Sequence, residues 1–182
     1  MDTTIGGELT RLLEASFTRK IPASVRVRTA FLVTKLGTAA TAALLGVSRT
    51  SVYRYIAGTR TTPPATIADR LEREVRARWQ PQLQARAARA LGAGLNLETR
   101  ARFGYDSGSG TSDDARIRII SQHLPSDYAQ PLVDTHLAGG GEDALRGILA
   151  DALGDLYFRD GGQRAHGLNV EFTDMEYCVL EP

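Results

Sequence analysis

The sequence predicts a mostly α-helical protein with a smaller α+β part: an N-terminal helical domain holding a helix-turn-helix, then a strand-helix-helix-strand domain. Three observations predict it. Apolar residues recur at helical spacing through the N-terminal half, a glycine separates two short helical segments between Thr38 and Ile56, and alternating apolar residues appear only beyond residue 115.

The elements follow in order. Leu9, Leu12, Leu13 and Phe17 form a helical stripe over Gly7–Phe17, which Pro22 interrupts. Ser24 to Leu36 is helical again, offering Val25, Phe31, Leu32 and Leu36 to a core. Thr38 is the expected N-cap of an Ala-rich helix ending at Leu45, because its hydroxyl can accept a first-turn N–H. Gly46 supplies the turn by tolerating positive φ, Ser48 caps a second helix through Ile56, and Gly58 with Pro63-Pro64 closes the unit. From Ala65 to Ala90 a long helix carries Leu71, Val75 and Trp79 on one edge, and Pro81 splits it near Trp79. The stretch Gly92–Gly110 is poor in core residues, and Asp106–Gly110 has the composition of a flexible linker. A strand at Arg116–Ile120, helices at Pro125–Leu137 and Glu142–Phe158, and a final strand or strand pair from Leu168 to Leu180 complete the chain. The expected organisation is therefore 1–91 helical, 92–114 hinge, and 115–182 acidic α+β. The strand-helix-helix order resembles a ribbon-helix-helix module, which would make a homodimer.

Charge separates the same two halves. Through Arg100 there are 16 Lys plus Arg against 7 Asp plus Glu; from Ala101 onward the balance is 6 against 14. The basic half has the electrostatic sign of a nucleic-acid face, and the acidic half suits a protein partner with a basic surface. No apolar run approaches the roughly 20 residues of a membrane span. The N-terminus lacks the basic start and apolar block of a signal peptide. Cys178 has no second cysteine to pair with, which suits a reducing cytoplasm. His123, His136 and His166 are widely spaced, so no metal site is expected. No nucleophile elbow, phosphate loop or catalytic spacing is present, and the chain does not read as an enzyme.

In a helix-turn-helix the first helix crosses the DNA backbone and the second enters the major groove. Such packing needs small or apolar residues where the helices cross, here Ala39, Ala43, Leu44, Val47, Val52 and Ile56. The outer face of the second helix offers Arg49, Thr50, Ser51, Tyr53 and Arg54, and Arg60 follows as a backbone clamp. Either Arg49 or Arg54 can take a guanine edge bidentately.

Several blocks, in order and spacing, resemble one family. They are ASFTRKIP (15–22), AALLGVS (42–48), RLEREVRARWQP (70–81), TRARFGY (99–105), GTSDDARIR (110–118), YFRDGGQRAHG (157–167) and VEFTDMEY (170–177). In these the chain is similar to the telomere-protecting terminal proteins of actinomycetes, which cap linear chromosomes and plasmids. The resemblance implies a protein primer, joined through a side-chain hydroxyl to telomeric DNA 5′ ends. It would work in the cytoplasm at replicon ends with a telomere-associated DNA-binding protein and a DNA polymerase. It also implies that the chain is the substrate of deoxynucleotidylation and needs no cofactor of its own, the divalent metal being the polymerase's. In the family the modified residue is a Thr directly before an acidic pair. Here Ser112 holds that position, before Asp113 and Asp114, and Thr111 precedes it, so both hydroxyls remain candidates. The rival reading is a helix-turn-helix transcriptional regulator that dimerises through its C-terminal domain.

Overall fold

The computed structural model describes residues 4–107, 112–159 and 168–182. They form eight α-helices and one three-stranded antiparallel sheet, so the protein is mostly helical with a smaller β part. The chain divides into two compact units, residues 17–82 and residues 1–16 with 83–182.

The helical unit comprises α2 (Val25–Leu36), α3 (Thr38–Leu45), α4 (Arg49–Ala57) and α5 (Ala65–Arg78). Its small core joins Leu32, Leu45, Leu71 and Val75, edged by Ile21, Val25, Phe31, Leu44 and Val47. Ser24 caps α2 by accepting the Val27 N–H. At the far end Trp79 meets Phe31 edge-on at 5.1 Å, and its indole N–H donates to the Arg19 carbonyl at 2.9 Å. Gln80 then takes a left-handed φ of 46°, and Pro81 opens the next helix, which is the break expected there.

The second unit starts with α1 (Ile5–Ala15) and resumes along α6 (Pro81–Gly92). It continues through β1 (Gly94–Ser107), β2 (Ser112–Pro125), α7 (Ser126–Leu137), α8 (Glu142–Leu153), a π-helical turn (Gly154–Phe158) and β3 (Leu168–Glu181). The strand order is β2-β1-β3. Alternate β1 residues Leu95, Leu97, Thr99, Ala101 and Phe103 are all buried. They share the core with Ile5, Leu9 and Leu13 of α1, Leu132 and Val133 of α7, and Leu145 and Leu149 of α8. The intervening Asn96, Glu98, Arg100 and Arg102 are exposed.

Three expectations change. The segment 92–114 is not a linker between units: its described residues run from the end of α6 through β1 into the start of β2, inside the second unit. Small or weakly apolar Thr99 and Ala101 occupy the buried positions between flanking charges, and so hide the alternation. Second, residues 1–91 are not one domain, because Ile5, Leu9 and Leu13 bury their stripe against the sheet. Their anchorage is specific: the Glu142 carboxylate accepts the Ile5 and Gly6 N–H groups at 2.7 and 3.1 Å, and Thr4 Oγ1 accepts that of Gly7, so the first orphan donors of α1 are satisfied. Third, the strand before α7 runs Ser112–Pro125 and pairs with β1 of the same chain, unlike the intersubunit ribbon of a ribbon-helix-helix protein.

Candidate nucleic-acid interface

The helix-turn-helix expected at 38–56 corresponds to α3 and α4, joined by Gly46-Val47-Ser48. Gly46 is left-handed (φ 69°, ψ 35°), and the Val47 N–H returns to the Ala42 carbonyl at 2.9 Å. A side chain at Gly46 would be strained by that φ, which is why glycine ends α3. Ser48 then accepts the Ser51 N–H at 3.2 Å and starts α4, while left-handed Gly58 (φ 78°) stops it. Two details differ from expectation. Gly37, not Thr38, is the N-cap of α3, and Thr38 is its first helical residue. Ala39 and Ala43 are exposed, whereas Thr41, Ala42, Leu45, Val52 and Tyr55 are the buried residues of the pair.

The outer face of α4 is as expected for Arg49, Thr50, Tyr53 and Arg54, which are all exposed. Ser51 differs. It is half-buried and its hydroxyl lies 3.1 Å from the Ser48 hydroxyl, so it serves the cap. Arg60 is exposed past the end of α4 with its guanidinium 5.5 Å from the centre of the Tyr55 ring. Its N–H donates to the Arg54 carbonyl, which also accepts from the Thr59 hydroxyl. The Tyr55 ring is buried, and its hydroxyl has no hydrogen-bond partner among the described residues.

Electrostatics sharpen the contrast already visible in the sequence. The helical unit holds 12 Lys plus Arg against 3 Asp plus Glu, and the second unit 10 against 18. From Phe17 to Ala68 there are eight basic residues and no acidic one. The acidic groups of the helical unit sit on α5, where Glu72 pairs with Arg28 and Arg76, and Glu74 with Arg78. Those arginines are thus partly neutralised. Arg49 and Arg54 make no ion pair among the described residues and keep their charge for an external anion.

The linkage candidates fall in the other unit. Ser112 opens β2, with Asp106 of β1 as its register partner, and Asp113 is opposite Tyr105. A register shift between Phe103 and Tyr105 puts Asp114 at an irregularity of the hairpin. Thr111 lies outside the described residues. Tyr128 donates to Asp155 at 2.6 Å, which pushes its pKa up to about 12. Tyr157 is exposed and meets Phe158 edge-on at 4.9 Å.

No group of three or more His, Cys, Asp or Glu is placed to hold a metal among the described residues. Nor is any helix among them long and apolar enough to cross a membrane. Compared with known proteins, the chain matches no family model, no curated protein and no solved structure. Among the described residues the chain comprises a basic, all-helical unit, residues 17–82, whose sequence interrupts that of an acidic unit of helices and one antiparallel sheet.

Proposed function

We propose that the protein binds duplex DNA through α4 and serves at DNA ends as a terminal protein, the primer for end-patching synthesis. One observation carries the DNA-binding part: a capped helix-turn-helix exposes Arg49, Thr50, Tyr53 and Arg54 within a stretch that has no acidic residue from Phe17 to Ala68. Such a face meets phosphates without like-charge repulsion and reaches base edges with its early residues. The priming part rests on the resemblance to the telomere-protecting terminal proteins. In that reaction the oxygen of Ser112 or Thr111 attacks the α-phosphorus of a deoxynucleoside triphosphate. An O–P bond forms, the bond to the β-phosphate oxygen breaks, pyrophosphate leaves, and the hydroxyl proton passes to a base in the polymerase. This chain contributes the hydroxyl and the hold on DNA; the partners are telomeric DNA, a telomere-associated DNA-binding protein and the polymerase, at the nucleoid.

The rival regulator reading is favoured by a different feature. Strand β2 is a sheet edge with Ile117 and Ile119 exposed on it, a ready surface for a second copy. Incubation with labelled deoxynucleotide, polymerase extract and the DNA-binding partner separates the two. Covalent label on the protein, lost in a Thr111→Ala, Ser112→Ala double variant, is the expected result. Absence of label from a chain that still binds duplex DNA overturns the primer reading and leaves the regulator. Label surviving in the double variant overturns the site assignment alone.

A further inference from the structure

The exposed face of α4 carries an ordering of roles that its list of polar residues conceals. A helix turns about 100° per residue. Opposite buried Val52 and Tyr55, the outward arc therefore holds Thr50, Tyr53, Arg54 and Ala57, with Arg49 at its border. Within that arc Tyr53 is the one large ring. It is 60% exposed, more than any other large apolar side chain of the helical unit, where Val27 and Leu36 stand at 51% and 36%. Among the described residues it has neither a hydrogen-bond partner nor a ring partner. The hydroxyls and guanidinium beside it suit phosphates and polar base edges, but a bare aromatic face on a groove-entering helix needs an apolar counterpart. In the major groove only one base edge offers it, the C5-methyl of thymine.

We propose that Tyr53 is the specificity-determining residue of α4 and that it packs against the 5-methyl group of one thymine in the recognised duplex. The inference rests on the reading of α4 as the DNA interface. Thr50, one turn earlier on the same arc, and Arg54 flank it as the polar readers. The ring gains what it lacks in the free protein, an apolar surface to exclude water from. The phenolic oxygen at its tip remains free to reach a phosphate.

The test uses the full-length chain. A preferred duplex is first selected from a random pool, and each thymine is then replaced singly by deoxyuridine, which removes only the methyl group. Wild type should lose affinity by about threefold or more at one thymine and be indifferent at the others. Tyr53→Ala should bind the thymine and deoxyuridine duplexes equally, and Tyr53→Phe should keep the wild-type discrimination. Because Tyr53 is exposed, both variants should retain the wild-type helical circular dichroism. Indifference of wild type at every thymine, discrimination persisting in Tyr53→Ala, or its loss in Tyr53→Phe each overturns the proposal while duplex binding stands. Failure of wild type to bind any duplex overturns the reading of α4 itself, and the thymine contact with it.

Discussion

The two units of this chain meet the same problem, burying apolar helix faces, in different ways. The helical unit closes four helices over six large buried side chains, Leu32, Leu45, Val52, Tyr55, Leu71 and Val75, and a ring of half-buried ones, among the described residues. The second unit lays helices on one face of a sheet and, among the described residues, buries 20 in a single cluster. A sheet presents a continuous apolar face, so each of its alternate residues finds a helix to cover it. The smaller core leaves more of its unit's surface for charge. Each property has its place: α4, on the smaller core, exposes Arg49 and Arg54, while the larger buried apolar cluster belongs to the acidic unit.

Core truncation sharpens that contrast most. Leu149→Ala in α8 and Leu32→Ala in α2 each remove a fully buried side chain and should cost about 2–5 kcal/mol. They belong to separate clusters, so calorimetry should see each lower its own transition. A single merged transition shifted equally by both would break the division into two units.

Charge removal on α4 comes next. Arg49→Ala with Arg54→Ala should weaken duplex binding by about tenfold or more and flatten the plot of log affinity against log salt by about two. The thermal stability should hardly move, because neither side chain makes an ion pair among the described residues. An equal loss from Arg146→Ala, in the acidic unit, would break the assignment of DNA binding to the helical one.

The join of α1 to the acidic unit gives a middle-sized effect. Glu142→Gln keeps the shape but removes the charge that two α1 N–H groups face, and should cost about 1–2 kcal/mol by chemical denaturation. His136 lies beside this contact, 3.1 Å from the Thr10 hydroxyl. Burial pushes its pKa below the ordinary 6.5, and the Glu142 charge opposes that shift. The unfolded chain therefore holds more protons in that range. The stabilisation is complete above pH 6.5 and is lost as pH falls through the lower folded value. Denaturation midpoints of the acidic unit should decline below pH 6.5, and His136→Gln should flatten the decline.

The smallest effect concerns Tyr55 in the helical core. Its buried hydroxyl lacks a partner among the described residues, so Tyr55→Phe should be neutral or stabilise by up to about 1 kcal/mol. A loss larger than that, read in the same denaturation curves, would show the hydroxyl to be satisfied.

Much of this was legible from the chain itself. Local punctuation can be read residue by residue, because each stop or start depends on one residue's own chemistry. Gly46 and Gly58 end helices with positive φ, Ser24 and Ser48 cap them, and Pro81 divides α5 from α6. The sign of each half was legible too, as was the outer face of α4 apart from Ser51, which the structure turns to the cap, since periodicity fixes a helix's outer side once its core residues are recognised. Tertiary structure decided what depends on distant partners. Strand β1 reads as linker until β2 and β3 pair on either side of it, because a strand satisfies its backbone groups only through its neighbours. The N-terminal helix has the same stripe whichever core it joins. Distant partners commit it to the acidic unit: the sheet core that buries Ile5, Leu9 and Leu13, and the Glu142 carboxylate, 137 residues away at the start of α8. The roles at Ser112 and on α4 that sequence resemblance and periodicity suggest therefore lie in two different folded units, a division no local pattern announces.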